Sequence, residues 1–193
     1  MDTFELILSI LVGVGLSAAC GFRVFVPLLV MSIAAKAGCP GLSLSPDFEW
    51  IASWPALIAF AVATALEIGA YYIPWLDNVL DTAATPVAIV AGVIVSAACV
   101  TDINPMLKWA LAVVVGGGAA GIVQVLTATA RAASTAATGG LANAVVATAE
   151  NISASAISIL AVLAPVVAMV CAVAGVVLVC RLIRRGPAAA SAP

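Results

Sequence analysis

Residues 15–29 read GLSAACGFRVFVPLL, and they place an arginine, Arg23, inside the long apolar run of residues 4–36. Similar runs recur along the chain, because 65% of its 193 residues are hydrophobic and only 8% are charged. A soluble domain carries roughly 25% charged residues, so a water-soluble fold of this size could not bury so much apolar surface. Runs of about 20 apolar residues match the hydrocarbon thickness of a bilayer. The sequence therefore predicts a membrane protein.

The apolar runs are continuous rather than alternating, and this pattern favours helices over a β-barrel. We expect an all-α, polytopic transmembrane helix bundle of five or six crossings. Residues 1–183 would form a single transmembrane domain, and the tail at 184–193 would be disordered and cytoplasmic. The acidic N-terminus lacks the basic region that a secretory signal peptide needs, so we expect the first segment to remain as a helix.

A straight helix over residues 4–36 would be roughly 50 Å long, which is too long for one upright crossing. This segment is therefore expected to be either strongly tilted or broken near Gly21–Pro27. Ser53 followed by Pro55 is typical of a helix start, whereas Pro86 is expected to open another helix. Residues 141–151 would be re-entrant or interfacial. In the five-crossing version, the crossings are residues 4–36, 54–73, 86–101, 108–130 and 153–183.

The few basic residues predict the orientation of the chain. The sequence RLIRR at 181–185 favours a cytoplasmic C-terminus, since basic residues concentrate on that side of membranes. Lys36 and Lys108 would share that side if the acidic N-terminus is outside. We therefore expect a protein of the plasma (inner) membrane with its N-terminus outside and its C-terminus in the cytoplasm.

Three pairs of short segments suggest an internal repeat. GLSAACGF (15–22) is similar to GGGAAGIV (116–123), and VATALE (62–67) is similar to VATAE (146–150). A third pair begins with proline at 86 and 165, and the three pairs come in the same order. The halves would be residues 4–101 and 106–183, with inverted topology if each holds an odd number of crossings. The glycines in these segments either allow close helix packing or mark local unwinding.

Arg23 needs an explanation, because a lone charge at the bilayer centre costs roughly 2.5–3.5 kcal/mol on insertion scales. Asp77 and Asp81 are four residues apart, so they share one face of a helix. Glu67 and Glu150 would occupy matching positions in the repeat and could bind a cation or carry a proton, although Glu150 alone is read more simply as a residue at a water interface. The carboxylates that could pair with Arg23 are Glu67, Asp77, Asp81 and Glu150.

Two interpretations of these charges remain open. In the first, the chain is a small integral membrane transporter or channel for a small solute or ion, and Arg23 binds an anion or gates a carboxylate. In the second, it is a structural or assembly membrane protein, and the same charges only lock helices together. The residues proposed for the solute or ion pathway are Arg23, Glu67, Asp77, Asn78, Asp81 and Glu150.

Other classes of function find little support in the composition. The chain has no histidine, which removes the commonest metal ligand and general base, and no nucleophile lies beside a base. We therefore expect no enzyme, no metal site and no cofactor. No basic patch suits nucleic acid. The expected partners are the lipid bilayer, a small solute or ion, and a second copy of the chain in a homodimer packed through Gly/Ala-rich faces.

Two motifs carry a family resemblance. GFRVF (21–25) and IPWLDNVLD (73–81) resemble an uncharacterised group of small membrane proteins, the domain of unknown function 4126 family, over about residues 4 to 183. Tyr72 departs from this pattern, since a more polar or acidic residue is expected there. The family name carries no activity. The resemblance implies that the following residues belong to the family pattern: Arg23, Glu67, Trp75, Asp77, Asn78 and Asp81.

Overall fold

The fold was analysed in a computed structural model, which describes residues 3–101 and 103–185. Within these ranges, the side chains of residues 74–79, 81, 82, 179 and 182–185 are not described. The described part of the chain is helical and contains no strand, which confirms the all-α prediction. Of the predicted tail, residues 184 and 185 end the last helix, and the remainder lies outside the described residues.

Eight α-helices follow one another in the described part of the chain. A 3-10 helix, Pro46–Ala52, precedes the third of them, and a π-helical segment, Ala112–Gly117, joins the fifth to the sixth without a break. A π-helix in the middle of a helix is rare and often marks a functional region. The helices are α1 (Thr3–Cys20), α2 (Phe25–Lys36), α3 (Trp54–Ala70), α4 (Pro74–Cys99), α5 (Pro105–Leu111), α6 (Gly118–Thr138), α7 (Asn143–Leu163) and α8 (Pro165–Arg185).

Three helical stretches are long and apolar enough to cross a membrane: Thr3–Cys20, Pro105–Thr138 and Asn143–Leu163. A fourth is added if the 3-10 helix and α3, which meet at 64°, count as one span. The remaining apolar helices are shorter. The described residues therefore contain three or four candidate spans, and the five or six crossings remain a prediction.

The sequence signals locate some helix ends and miss others. Ser53 Oγ accepts a hydrogen bond from the Ala56 amide at 3.3 Å, so the predicted start of α3 is confirmed. Pro86 was expected to open a helix and instead lies inside α4. A proline is tolerated within a membrane helix because neighbouring helices can satisfy the freed backbone groups.

The boundary predicted near residue 152 is also wrong. Helix α7 runs unbroken from Asn143 to Leu163, so most of the segment at 141–151 is its first part rather than a separate piece. The break comes at Ala164, directly before Pro165. The residue before a proline is pushed out of the helical region by steric clash, which explains the position of this break.

Of the two expected alternatives for residues 4–36, tilted or broken, the structure has the broken one, and the chain also reverses direction there. Helix α1 ends at Cys20 and α2 begins at Phe25. A Cβ atom placed on Gly13 would lie 3.4 Å from Cβ of Cys99, and Cys99 Sγ lies 4.0 Å from Met31 Sδ. Because Met31 has returned to the level of Gly13, α1 and α2 form an antiparallel hairpin with residues 21–24 at its tip, instead of one crossing.

The loop at 37–53 covers one end of the bundle, called the loop end below. Lys36 Nζ donates to the Ala52 carbonyl at 3.4 Å, and Lys108 Nζ donates to Ser45 Oγ at 2.5 Å. Glu5 shares a surface cavity with Ser43 of the loop. The N-terminus, Lys36 and Lys108 therefore lie at the same end. The expectation that the two lysines share the side of the C-terminus is wrong, because α2 doubles back.

Helix α1 lies at the centre and packs against the other helices through small residues. Ser17 Oγ donates to the Gly92 carbonyl at 2.7 Å. A Cβ atom on Gly15 of α1 would lie 2.9 Å from Cβ of Ala161 on α7. The π-helical segment packs on α4 in the same way, since a Cβ atom on Gly116 would lie 2.5 Å from Cβ of Ser96. These distances leave no room for larger side chains. The close-packing interpretation of the glycines is supported at these positions.

Exposed tryptophans mark the loop end, where Trp50, Trp54 and Trp109 are all accessible. Tryptophan is enriched at membrane–water interfaces. From Trp54, α3 descends roughly 25 Å to Tyr71 at 1.5 Å per residue. Helix α6 extends beyond the level of Tyr71, and residues 139–142 connect it to α7 at the end of the bundle opposite the loop end. We call this opposite end the tail end. Tyr71 and its neighbours therefore lie in the half of the molecule nearer the tail end.

Candidate functional site

Arg23 occupies the tip of the α1–α2 hairpin and is 2% exposed. The tip packs closely against α6, because a Cβ atom on Gly21 would lie 2.5 Å from the Ala120 carbonyl oxygen. The Arg23 amide donates to the Ala19 carbonyl at 3.1 Å, which closes the last turn of α1. The guanidinium is thus held at the place where the backbone reverses inside the bundle.

The partners of Arg23 lie mainly on α7. Its Nη1 lies 2.9 Å from Glu150 Oε2, its Nε donates to Asn151 Oδ1 at 2.5 Å, and its Nη2 donates to the Ala147 carbonyl at 3.2 Å. Glu150 is 4% exposed. A buried arginine needs both a counter-charge and acceptors for its other N–H groups, and one turn of α7 supplies both.

A second arginine binds the same carboxylate. Arg131 on α6 is 4% exposed; its Nε donates to Glu150 Oε1 at 3.0 Å, and its Nη2 pairs with Glu150 Oε2. This bidentate contact is the strongest arrangement of a guanidinium and a carboxylate. Glu150 therefore bridges two guanidiniums that come from separate parts of the chain.

Tyr71, at the end of α3, lies against both guanidiniums. Its ring centroid is 3.8 Å from Cζ of Arg23 and 4.2 Å from Cζ of Arg131. A cation over an aromatic face is stabilised by the ring quadrupole, and more so where water is excluded. We call Arg23, Arg131, Glu150 and Tyr71 the charge cluster. It joins the α1–α2 tip, α3, α6 and α7.

Glu67 lies beside the charge cluster but binds backbone instead of arginine. Its Oε1 accepts from the Val24 amide at 2.8 Å, and its Oε2 accepts from the Phe25 amide at 3.0 Å. These amides belong to the start of α2, where unpaired N–H groups and the helix dipole favour a negative charge. Glu67 thus anchors the residues that directly follow Arg23.

Two cavities flank the charge cluster. Cavity I, of about 320 Å³, lies among α2, α3 and α4 and reaches Glu67 and Tyr71. Cavity II, of about 230 Å³, lies among α6, α7 and α8 and reaches Glu150. The lining of the two cavities follows the same pattern on α3 and α7. On each helix the cavity is lined by the glutamate, by the residues four and one before it, and by the residue three after it. These residues are Ala63, Leu66, Glu67 and Ala70 in cavity I, and Val146, Ala149, Glu150 and Ser153 in cavity II.

Comparison with known families identifies the group to which this arrangement belongs. The family described as Domain of unknown function (DUF4126) matches residues 10–185. The chain belongs to this family. No curated protein and no solved structure matches it. The resemblance expected from GFRVF and IPWLDNVLD is thereby confirmed, and since the family has no assigned activity, the function has to be argued from the geometry of the site.

The structure brings together some of the predicted site residues. Arg23 and Glu150 are in direct contact, and Glu67 is linked to them through the backbone after Arg23. The interpretation of Glu150 as a residue at a water interface is wrong, because its carboxylate is buried between two guanidiniums. Asp77, Asn78 and Asp81 lie in the first part of α4, but their side chains, and that of Trp75, lie outside the described part of the structure.

Sequence reasoning missed Arg131 and the role of Tyr71. Arg131 is the only charged residue between Lys108 and Glu150, so the argument that singled out Arg23 applies to it as well. The predicted fourth crossing, residues 108–130, ends one position short of it. Tyr71 carried no local signal, since only the fold brings its ring between two guanidiniums.

Proposed function

We propose that the chain is a small integral membrane transporter or channel for a small solute or ion, with the charge cluster as its intramembrane polar site. The observation that carries the proposal is the burial of two arginines on one glutamate, directly between two cavities. Burying several charges costs more desolvation than a simple lock between helices requires. Ionisable groups inside membrane proteins usually mark solute or ion pathways.

The geometry offers Arg23 two carboxylates. It now pairs with Glu150, while Glu67 is held by the amides one and two residues after Arg23. In the transport cycle that we propose, the hairpin tip moves so that Arg23 exchanges Glu150 for Glu67. Each exchange would remake an ion pair, and this keeps the difference in free energy between the two states small.

The matched lining of the two cavities supports the inverted pseudo-repeat as part of the proposal. The glutamate stands at the same place among the lining positions of α3 and α7, in the segments VATALE and VATAE. Two related halves around a central site are typical of transporters that alternate between two openings. We also propose that the protein is not an enzyme and that it works as a homodimer in the plasma (inner) membrane. The C-terminal sequence RLIRR would then be cytoplasmic and the N-terminus outside.

The test is a flux assay in proteoliposomes with inorganic cations, inorganic anions, protons and small amphiphiles. We expect Arg23→Ala to abolish a flux that the wild type shows. Arg181→Ala is the matched control, because Arg181 is exposed on α8 and is not part of the charge cluster. Melting temperatures of both variants in detergent must show that they are folded.

The structural alternative makes the opposite prediction. If no solute moves across the panel, and Arg23→Ala is merely less stable than Arg181→Ala, the charges serve only to lock helices together. A folded Arg23→Ala variant with full flux would also remove the charge cluster from the pathway.

A further inference from the structure

The surroundings of the charge cluster suit an amphipathic molecule better than a hydrated ion. Most of the side chains that line cavities I and II are aliphatic or aromatic. An inorganic ion that entered them would lose its hydration shell, and carbonyl or charged groups in a ring would be needed to replace it. Such walls instead favour a molecule that carries its own apolar part.

The inner end of cavity II is polar. Glu150, Thr127 and Ser153 line it, and the Glu150 carboxylate there is held by Arg23 and Arg131. The planar guanidinium fork matches the paired oxygens of a carboxylate or a phosphate. The charge cluster already binds one carboxylate at this place, which defines the head group that it can recognise.

The mouth of cavity II is continuous with the apolar outer surface of the bundle. Ala149 and Gly175 line the cavity and are themselves exposed. Along α7 the lining extends from Val146 to Ser153, roughly 10 Å, and α7 is one of the candidate membrane spans. A chain lying in this cavity would run along a membrane-spanning helix, as the acyl chains of the surrounding lipid do, and would enter sideways from the bilayer.

We infer that cavity II binds an amphipathic anion. Its apolar chain occupies the cavity, and its carboxylate or phosphate head takes the place of Glu150 on Arg23 and Arg131. The inference deepens the proposed function, on which it rests, because it names the class of solute. Release of Glu150 by the arriving anion would also free Arg23 to move toward Glu67.

Binding is tested by isothermal titration of the purified protein in dodecyl maltoside, whose neutral chain is present throughout. The probes are laurate, dodecyl phosphate, dodecyltrimethylammonium and inorganic phosphate. We expect one or both anionic amphiphiles to bind and to raise the melting temperature, and the one that binds identifies the head group. Equal binding of the cationic amphiphile, equal binding of inorganic phosphate alone, or binding of none of the probes would overturn the inference.

Matched variants place the site in cavity II. Ala149→Phe fills the cavity and should abolish binding, whereas Ala144→Phe, on the same helix but outside the lining, should leave it unchanged. Ser153→Leu fills the inner end of cavity II and replaces Ala149→Phe in the test if that variant does not fold. Arg131→Gln should weaken binding by about tenfold or more, since a charge-assisted hydrogen bond is lost. Binding that survives in both cavity-filling variants contradicts the placement.

The two proposals can fail separately. Anionic amphiphiles that bind but are never moved across a proteoliposome would refute transport and leave the binding site intact. Flux of an inorganic ion by a protein that binds no amphiphile would support transport and refute the inference.

Discussion

At the scale of single residues, the charge cluster depends on Glu150 more than on either arginine. Both guanidiniums contact this one carboxylate, so its removal leaves two buried positive charges facing each other. The loss of one partner from a buried ion pair costs far more than the pair itself contributes, because an uncompensated charge remains away from water. The glutamate is thus the residue on which the local structure depends most.

Glu150→Gln should therefore lower the free energy of unfolding by about 3–5 kcal/mol. Denaturant titration in detergent micelles measures this change. Glu49→Gln is the control, because Glu49 is exposed at the loop end and its substitution should change stability by less than about 0.5 kcal/mol. If the two variants are equally stable, Glu150 does not hold the charge cluster together.

At the scale of helices, small residues decide how closely the central elements approach. Gly116 and Gly118 belong to the same glycine triplet, yet of these two only Gly116 faces a neighbouring helix. A Cβ atom on Gly116 would lie 2.5 Å from Cβ of Ser96, while one on Gly118 would meet nothing within 4 Å. The π-helical segment ends at Gly117, so the irregular helix includes this close contact with α4.

Gly116→Ala should destabilise the protein by about 1–3 kcal/mol, because the added methyl group forces α4 and the π-helical segment apart. Gly118→Ala should be neutral or stabilising, since alanine is the better helix former by about 1 kcal/mol. Unfolding of both variants in detergent tests the difference. Equal effects would mean that α4 does not pack on Gly116 as described.

At the scale of the whole molecule, the reversal of α1 and α2 decides which segments share an end. The N-terminus, the loop at 37–53 and Lys108 lie at the loop end, and the α6–α7 turn lies at the tail end. Helix α8 runs toward the tail end, because Ala168 packs near Gly15 while the later Gly175 lines cavity II. The basic sequence RLIRR belongs to the tail end. If it is cytoplasmic, as we propose, the loop end faces outside.

Two native cysteines test this arrangement. Cys39 lies in the loop at the loop end, and Cys180 lies near the end of α8. In single-cysteine variants, a membrane-impermeant maleimide should label Cys39 in intact cells and Cys180 only after permeabilisation. Labelling of both residues from the same side would contradict the placement of the two ends.

Much of the fold could be predicted because it follows from local chemistry. The apolar runs predicted helices, and Ser53 with Pro55 predicted the start of α3. The reversal at residues 21–24 could not be predicted in the same way, since a broken helix can continue or turn back with the same residues. Tertiary contacts distinguish the two, above all that of Met31 with Cys99, which itself lies beside Gly13.

By itself, the sequence determined that this is an all-helical protein with apolar helices, that it belongs to its family, and that Arg23 needs a partner. Composition, periodicity and the cost of a buried charge are properties of the chain before it folds. Only the tertiary structure decided that the partner is Glu150, that Arg131 and Tyr71 join them, and that Glu67 binds backbone amides instead. These choices depend on which segments meet in space, and the fold brings Arg131 and Glu150 to Arg23 from more than 100 residues away along the chain.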